Sequence, residues 1–390
     1  MRAYLDHAAT APMPEPVWEE VARAMRIVGN PASIHAHGQS VSELLESARE
    51  RIAARLGCDP AETILTGGGT ESINLALKGM WWARRRAGFG PALLIAEGEH
   101  HATLEAAEWL RDEQGAELRW LPVDDRGMLH PETLASALSE LGPERAALVS
   151  VLWANNEVGS IQPVTALTAV ARASGVPVHL DAVAALGQLP VDFRGSGAAA
   201  LSVSAHKIGG PVGVGALLLA RTVGADPLLH GGSQQRARAG TQNAAGAVGF
   251  AAALDHAYAE GFETRMADLR ARRDRLIAGV LAAVPDAVLR GAEPGDDRLP
   301  GNAHFTFPGC QGDSLVFLLD AAGVSASVGS ACQAGVAEIS HVLLAMGVPE
   351  SEAVGALRFT LGFETSDAEI DALLAALPEA VRRARAAGLA

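Results

Sequence analysis

Short apolar runs of strand length alternate with stretches of helical periodicity through the first half of the chain. Ser40 to Leu56 is the clearest helix: Val41, Leu44, Leu45, Ala48, Ile52 and Leu56 share one face, and Gly57 stops it. Pro16 to Ile27 has the same spacing, and residues 1–14, with Pro12 and Pro14, read as an extended arm. Strands are expected at Glu62–Thr66, Ala92–Ala96, Glu117–Pro122, Ala146–Leu152 and Val176–Leu180, the last ending at Asp181. Helices over Ile73–Arg84, Thr103–Glu113, Pro131–Leu141 and Val164–Ser174 separate them. Strand–helix alternation of this kind specifies a mainly parallel sheet with helices on its faces. Two further apolar runs, Ala199–Val203 and Val212–Ala220, flank Ser204-Ala205-His206-Lys207 and Gly209-Gly210-Pro211, where the chain must turn.

The second half reads differently. A polar, glycine-rich loop (His230 to Thr241) leads to a helix over Ala244–Tyr258, a break near Gly261, and a charged helix over Thr264–Val280. Strands near Val288–Leu289 and His304–Phe307, with helices at Leu315–Ala321, Glu352–Ala356 and Asp367–Ala386, form a second α/β unit. The expected organisation is an arm (1–14), a large domain (15–255) and a small C-terminal domain (256–390). Between the small domain's elements, Val324–Val336 is rich in small residues and reads as a mobile loop carrying Cys332.

Composition narrows the partners. Asp and Glu outnumber Lys and Arg by 45 to 31, which argues against a broad phosphate-backbone surface and so against direct nucleic-acid binding. The three cysteines, Cys58, Cys310 and Cys332, match no metal spacing and point to a reduced compartment with one working thiol. The start, MRAYLDHAAT, lacks the apolar core of a signal peptide, and no apolar run approaches the roughly 20 residues of a membrane span. A cytoplasmic protein is expected.

The candidate chemistry lies at strand ends. Thr70, His100, Asn156, Asp181 and Lys207 each follow an expected strand, where open α/β sheets bind their ligands. Gly67-Gly68-Gly69-Thr70 precedes a helix, which is either a plain βα turn or an anion cradle of free N–H groups. Lys207 sits either on an ordinary turn or in an apolar setting that lowers its pKa for Schiff-base chemistry. A lysine, an anion cradle, a carboxylate and a histidine together are what pyridoxal phosphate needs. Arg358, between Leu357 and Phe359, is a buried cation in want of an anion.

Ten motifs then fall in order: Tyr4-Leu5-Asp6 with Ala8-Ala9-Thr10, Gly29-Asn30-Pro31-Ala32-Ser33, Gly69-Thr70-Glu71-Ser72, Glu99-His100, Asn155-Asn156-Glu157, Asp181-Ala182, His206-Lys207, Gly240-Thr241, Gly329-Ser330-Ala331-Cys332 and Leu357-Arg358-Phe359. Together they resemble the NifS/IscS-like cysteine desulfurases of the class V aminotransferase type, over nearly the whole chain. The resemblance implies a fold-type-I pyridoxal-phosphate enzyme, with a mainly parallel seven-stranded sheet and a homodimeric active site. It implies that Lys207 carries the cofactor and shuttles protons, that Asp181 pairs with the ring nitrogen and that His100 stacks on the ring and assists proton transfer as a catalytic residue. It also implies that Gly69, Thr70, Ser204 and His206 hold the phosphate, with Thr241 supplied by the other subunit. Asn156, Arg358 and Asn30 would bind substrate, and Cys332 would take the sulfur of L-cysteine as a persulfide for an acceptor protein, leaving L-alanine.

Two positions depart from the family's pattern. Ala184 stands where a glutamine usually donates to the cofactor's phenolic oxygen, and Ala205 stands where glycine is usual, which is tolerable if its φ is negative. A selenocysteine lyase, which the lead-in Ala326-Ser327-Val328-Gly329 also resembles, and a class V aminotransferase or non-catalytic scaffold are the competing readings.

Overall fold

The structure is a computed structural model that describes residues 2–232, 234–329 and 339–387. Its strands are β1 (Ala3–Tyr4), β2 (Thr63–Thr66), β3 (Ala92–Ala96), β4 (Glu117–Leu121), β5 (Ala146–Leu152), β6 (Val178–Asp181), β7 (Ala200–Ser204), β8 (Gly215–Leu219), β9 (Val288–Arg290), β10 (Asn302–Thr306), β11 (Val324–Ser325) and β12 (Ala356–Thr360). Seven of them form one sheet in the order β2-β8-β7-β6-β5-β3-β4. Strand β8 runs antiparallel to both neighbours, and the remaining pairs are parallel.

Period-two alternation sends neighbouring residues of each strand to opposite faces. On β3, Leu93 and Ile95 pack with Trp81 and Leu110 on one side. Leu94 and Ala96 pack with Leu134 and Leu167 on the other. Both faces are therefore dry, which is why these strands are continuous apolar runs rather than polar–apolar alternations. The central strands also carry one buried polar seam. The His179 ring lies between the hydroxyls of Ser150 (2.9 Å) and Ser202 (2.8 Å), so an imidazole in the core has both nitrogens satisfied.

A three-stranded antiparallel sheet, β12-β10-β9, lies under a separate apolar cluster that includes Phe305, Phe359, Leu276 and Leu373. Ala3 and Leu5 of the arm belong to this cluster, and β1 pairs in parallel with β11. The beginning of the chain is thus packed among its last hundred or so residues.

Some expected boundaries move. The helix after the glycines starts at Gly69, not Ile73, and continues through a π-helical segment (Leu75–Gly79) to Arg86. The last strand of the large sheet starts at Gly215 because Val212, though apolar, is 80 % exposed on the turn that precedes it. Near the C-terminus the helix is Glu350–Ala353, and Ala356 already opens β12. The helix His341–Ala345, capped by the Ser340 hydroxyl, had no counterpart in the apolar pattern because a single turn is too short to show periodicity.

Candidate active site

Lys207 lies in a 3-10 turn, Ala205–Ile208, that begins where β7 ends. Gly209 closes the turn at φ +78°, and a Cβ there would sit 2.5 Å from the carbonyl oxygen of Pro12, so the residue must be glycine for the arm to cross. Ala205 takes the negative φ that a side chain requires, since Ala237 is the one non-glycine residue with positive φ among those described. The arm runs directly over this turn. The Ala11 N–H donates to the His206 carbonyl at 2.9 Å, and the Lys207 amine donates to the carbonyls of Ala8 (2.5 Å) and Ala9 (3.2 Å). Burial, and then the Arg358 cation, lower the lysine's pKa to about 8, while the Asp181 and Asp6 carboxylates oppose them.

Asp181 is the last residue of β6 and is buried. Burial raises its pKa to about 6, even though the Val183 N–H donates to its Oδ1 (2.9 Å) and Lys207 lies nearby. Glu99 is also buried, and burial together with the Asp181 charge raises it to about 8. Its Oε1 accepts from the Leu152 N–H at 2.6 Å, and its Oε2 has no partner among the described residues. His100 caps the helix His101–Gln114 through Nδ1, which accepts from the Ala102 N–H at 3.0 Å. Its neutral form therefore carries the ring proton on Nε2. Burial, then Lys207, depress it to about 4.

The glycine turn has the form of an anion cradle. Gly68 takes φ +140°, the Gly67 N–H donates to the Glu71 carboxylate at 2.6 Å, and Arg238 pairs with Glu71 at 3.0 Å, which fixes the turn from behind. The first N–H groups of the helix that begins at Gly69 have no partner within the helix. The Ser204 hydroxyl faces the same place, buried and with no partner among the described residues. A Cβ on Gly69 would lie 2.9 Å from the Val183 side chain, so the turn is packed tightly on that flank.

On the opposite wall, Arg358 projects from β12 and is 5 % exposed. It donates to the Asp6 carboxylate (2.9 Å) and to the Asn156 carbonyl (2.8 Å), and its Nε is buried without a partner among the described residues. Of the five N–H donors of the guanidinium, the one on Nε and the second on each terminal nitrogen remain for an incoming acceptor.

These groups enclose a cavity of about 330 Å³. Gly69, Thr70, His100, Asn156, Asp181, Ser204, His206, Lys207 and Arg358 all line it, as does Ala184. Asn30 does not: it is exposed, and its Oδ1 accepts from the Ala32 N–H within its own turn. Thr241 also lies outside this chain's cavity lining, and Cys332 falls outside the described residues. Among the described residues, no group of His, Cys, Asp and Glu is placed to hold a metal ion, and no helix is long and apolar enough to cross a membrane. Sequence reading assigned no role to Asp6, Glu99, Thr360 or His341, whose ring bonds the Glu99 carbonyl at 2.7 Å. Asp6 and Glu99 sit inside motifs quoted above, but nothing in the linear order says that Asp6 meets a residue 352 positions away.

The buried histidines set an acid limit. His179 and His304 are pushed to about 3, and His100 and His206 to about 4, from an ordinary 6.5, with burial the largest cause in each. The folded chain binds fewer protons than the unfolded one across that window, so stability is lost as pH falls from 6.5 toward 4. Asp181 and Glu99 act in the opposite sense, because their raised values favour the fold at low pH and the benefit fades as pH rises. Four histidines outweigh two carboxyls below pH 6. The expected result is a denaturant midpoint of the cofactor-free protein that declines steadily through this window, with a shallower decline in His179→Gln.

The family model for "Aminotransferase class-V" matches residues 3–373. The chain belongs to the class V aminotransferase family. Within it, an IscS-like cysteine desulfurase of Mycobacterium tuberculosis is 52 % identical over 392 residues, covering 100 % of this chain and 98 % of the relative. The cysteine desulfurase IscS of Dictyoglomus turgidum is 39 % identical, covering 98 % of this chain and 95 % of its own. A solved NifS-like protein superimposes with a TM-score of 0.89 at 34 % identity, covering 98 % of this chain and 100 % of that one. The family implies pyridoxal phosphate, and this cavity suits it: its lining brings together an orphaned buried hydroxyl, a helix start with free N–H groups, a buried carboxyl and an amine of lowered pKa.

Proposed function

We propose that this chain is a cysteine desulfurase that breaks the carbon–sulfur bond of L-cysteine, releases L-alanine and leaves the sulfur atom on the Cys332 thiol as a persulfide. The observation that carries the reading is the convergence of Lys207, Asp181, the Ser204 hydroxyl and Arg358 on one cavity, in a chain 52 % identical to an IscS-like cysteine desulfurase.

The roles follow from the chemistry of each group. Pyridoxal phosphate, when bound, supplies the electron sink that makes the substrate's carbon acids labile. Gly69, Thr70, Ser204 and His206 hold its phosphate, with Thr241 assigned to the other subunit of a homodimer. Asp181 would pair with the ring nitrogen, whose positive charge would favour the ionised form of a carboxyl that burial raises. His100, neutral and with its ring proton on Nε2, would stack on the ring and assist proton transfer. Lys207, with a pKa near 8, holds a usable neutral fraction at physiological pH and moves protons at Nζ. The free Nε of Arg358 and the Asn156 side chain receive the substrate carboxylate. The step balances: cysteine plus a thiol gives alanine plus a persulfide, and a sulfur-acceptor protein of an iron–sulfur or tRNA-thiolation system then takes the outer sulfur.

The test is turnover of L-cysteine with dithiothreitol by the pyridoxal-phosphate-loaded protein. Alanine and sulfide are expected in equal amounts, and Cys332→Ala is expected to abolish sulfide release. Full activity in Cys332→Ala overturns the reading, as does a clear preference for L-selenocysteine that survives that substitution.

A further inference from the structure

We propose that the main-chain carbonyls of Ala8 and Ala9 are a docking station for the Lys207 amine whenever that amine is not covalently bonded, and that the arm is thereby a positioning element of the active site. The inference rests on the proposed use of Lys207 and adds the residues that hold it.

The amine meets both oxygens, at 2.5 Å and 3.2 Å. A neutral primary amine has two hydrogens and one lone pair. Two carbonyl acceptors account for both hydrogens and leave the lone pair as the one uncommitted position. A carboxylate partner would favour the ammonium more strongly than two neutral carbonyls do. The nearby acid of the arm is already engaged, since the Asp6 Oδ1 accepts from Arg358 at 2.9 Å. The charged and titratable groups facing the amine are Asp181 on β6, Arg358 on β12, Asp6 on the arm, and His100 and His206.

The station is built independently of the lysine. The Ala8 N–H donates to the Thr360 hydroxyl at 2.9 Å, which ties the dipeptide to β12. The Ala9 N–H returns to the Asp6 carbonyl at 3.0 Å. The single proton of the Tyr4 hydroxyl is shared between the Thr10 carbonyl (2.8 Å) and the Asp6 carbonyl (3.1 Å), which flank the dipeptide in sequence. The carbonyls therefore stay in place while the lysine comes and goes.

The experiment uses the cofactor-free protein. Trace acetic anhydride labels Lys207 across a pH series, and mass spectrometry reads the labelling rate against an internal standard. Thr360→Val removes the anchor of Ala8 at nearly constant volume. The expected result is labelling about threefold to tenfold faster at neutral pH, the scale of one hydrogen bond, with the titration midpoint moved down because carbonyl acceptors favour the ammonium. Thr360→Ser, which keeps the hydroxyl, is expected to restore the wild-type profile. Tyr4→Phe, an isosteric change on the exposed side of the arm, is expected to move the profile in the same direction and covers the case in which Thr360→Val fails to fold. Superimposable profiles in Thr360→Val and Tyr4→Phe overturn the inference. Borohydride trapping of pyridoxal phosphate on wild-type Lys207 separates the two levels: if the adduct forms and the profiles do not move, only the docking station falls. If no adduct forms on Lys207, the proposed function falls with it.

Discussion

Lys207→Arg is expected to fold, to bind phosphate-bearing ligands, and to turn over no L-cysteine, a loss on the order of 10⁴-fold or more. A guanidinium keeps its proton at any physiological pH and forms no carbon–nitrogen double bond to an aldehyde. It also places a second permanent cation beside Arg358, whose charge already depresses the amine. Alanine formation measures the loss, and mass spectrometry after borohydride treatment should find no cofactor adduct at position 207. A rate within about tenfold of wild type removes this side chain from the chemistry.

Asp181→Asn is expected to have effects of opposite sign on activity and on stability. With the carboxylate gone, the ring nitrogen loses the anion that keeps it protonated, and turnover falls by roughly 10²- to 10³-fold, the range seen when one preorganised electrostatic contact is removed. The cofactor-free protein, however, becomes more stable at neutral pH. Burial raises this carboxyl to about 6 from an ordinary 3.8, so its ionised form is a liability in the fold above that range. Removing it also relieves Glu99, whose own value is pushed up in part by the Asp181 charge. Urea midpoints at pH 7 and pH 5 read the difference, which should be of order 1 kcal/mol or more at the higher pH and shrink at the lower. A cofactor-free Asp181→Asn protein no more stable than wild type at pH 7 contradicts the account of a carboxyl whose ionised form is disfavoured by burial.

How far the sequence carries can be seen at particular residues. Asp181 and Lys207 are legible because the first ends a continuous apolar run and the second follows one by a few residues, at the polar and glycine-rich break where the strand must stop. The Gly67–Thr70 turn is legible for the same reason, although its helix starts four residues earlier than the apolar spacing suggests. Glycine and threonine carry no periodicity signal, so the first turn of that helix is silent. The Arg358–Asp6 pair and the Thr360–Ala8 bond are illegible because their partners stand 352 residues apart, and only the pairing of β1 with β11 and of β10 with β12 brings them together. Glu99 reads as half of a Glu-His motif, but its burial against Asp181 depends on strand order in the sheet, which local pattern does not encode. Asn30 illustrates the converse: a position singled out by its motif whose side chain lies outside this chain's cavity lining and accepts from the Ala32 N–H in its own turn.

The arm has a consequence for synthesis. Residues 3–11 are synthesised more than three hundred residues ahead of their partners at Val324, Arg358 and Thr360. A nascent or truncated chain that stops short of β12 can assemble the large sheet and present Lys207, but it has nothing to seat Asp6 or Ala8 against. The wall formed by Asp6, Ala8 and Arg358 therefore waits for β12, and a chain released before that strand is made leaves the Lys207 amine without this seated arm over it.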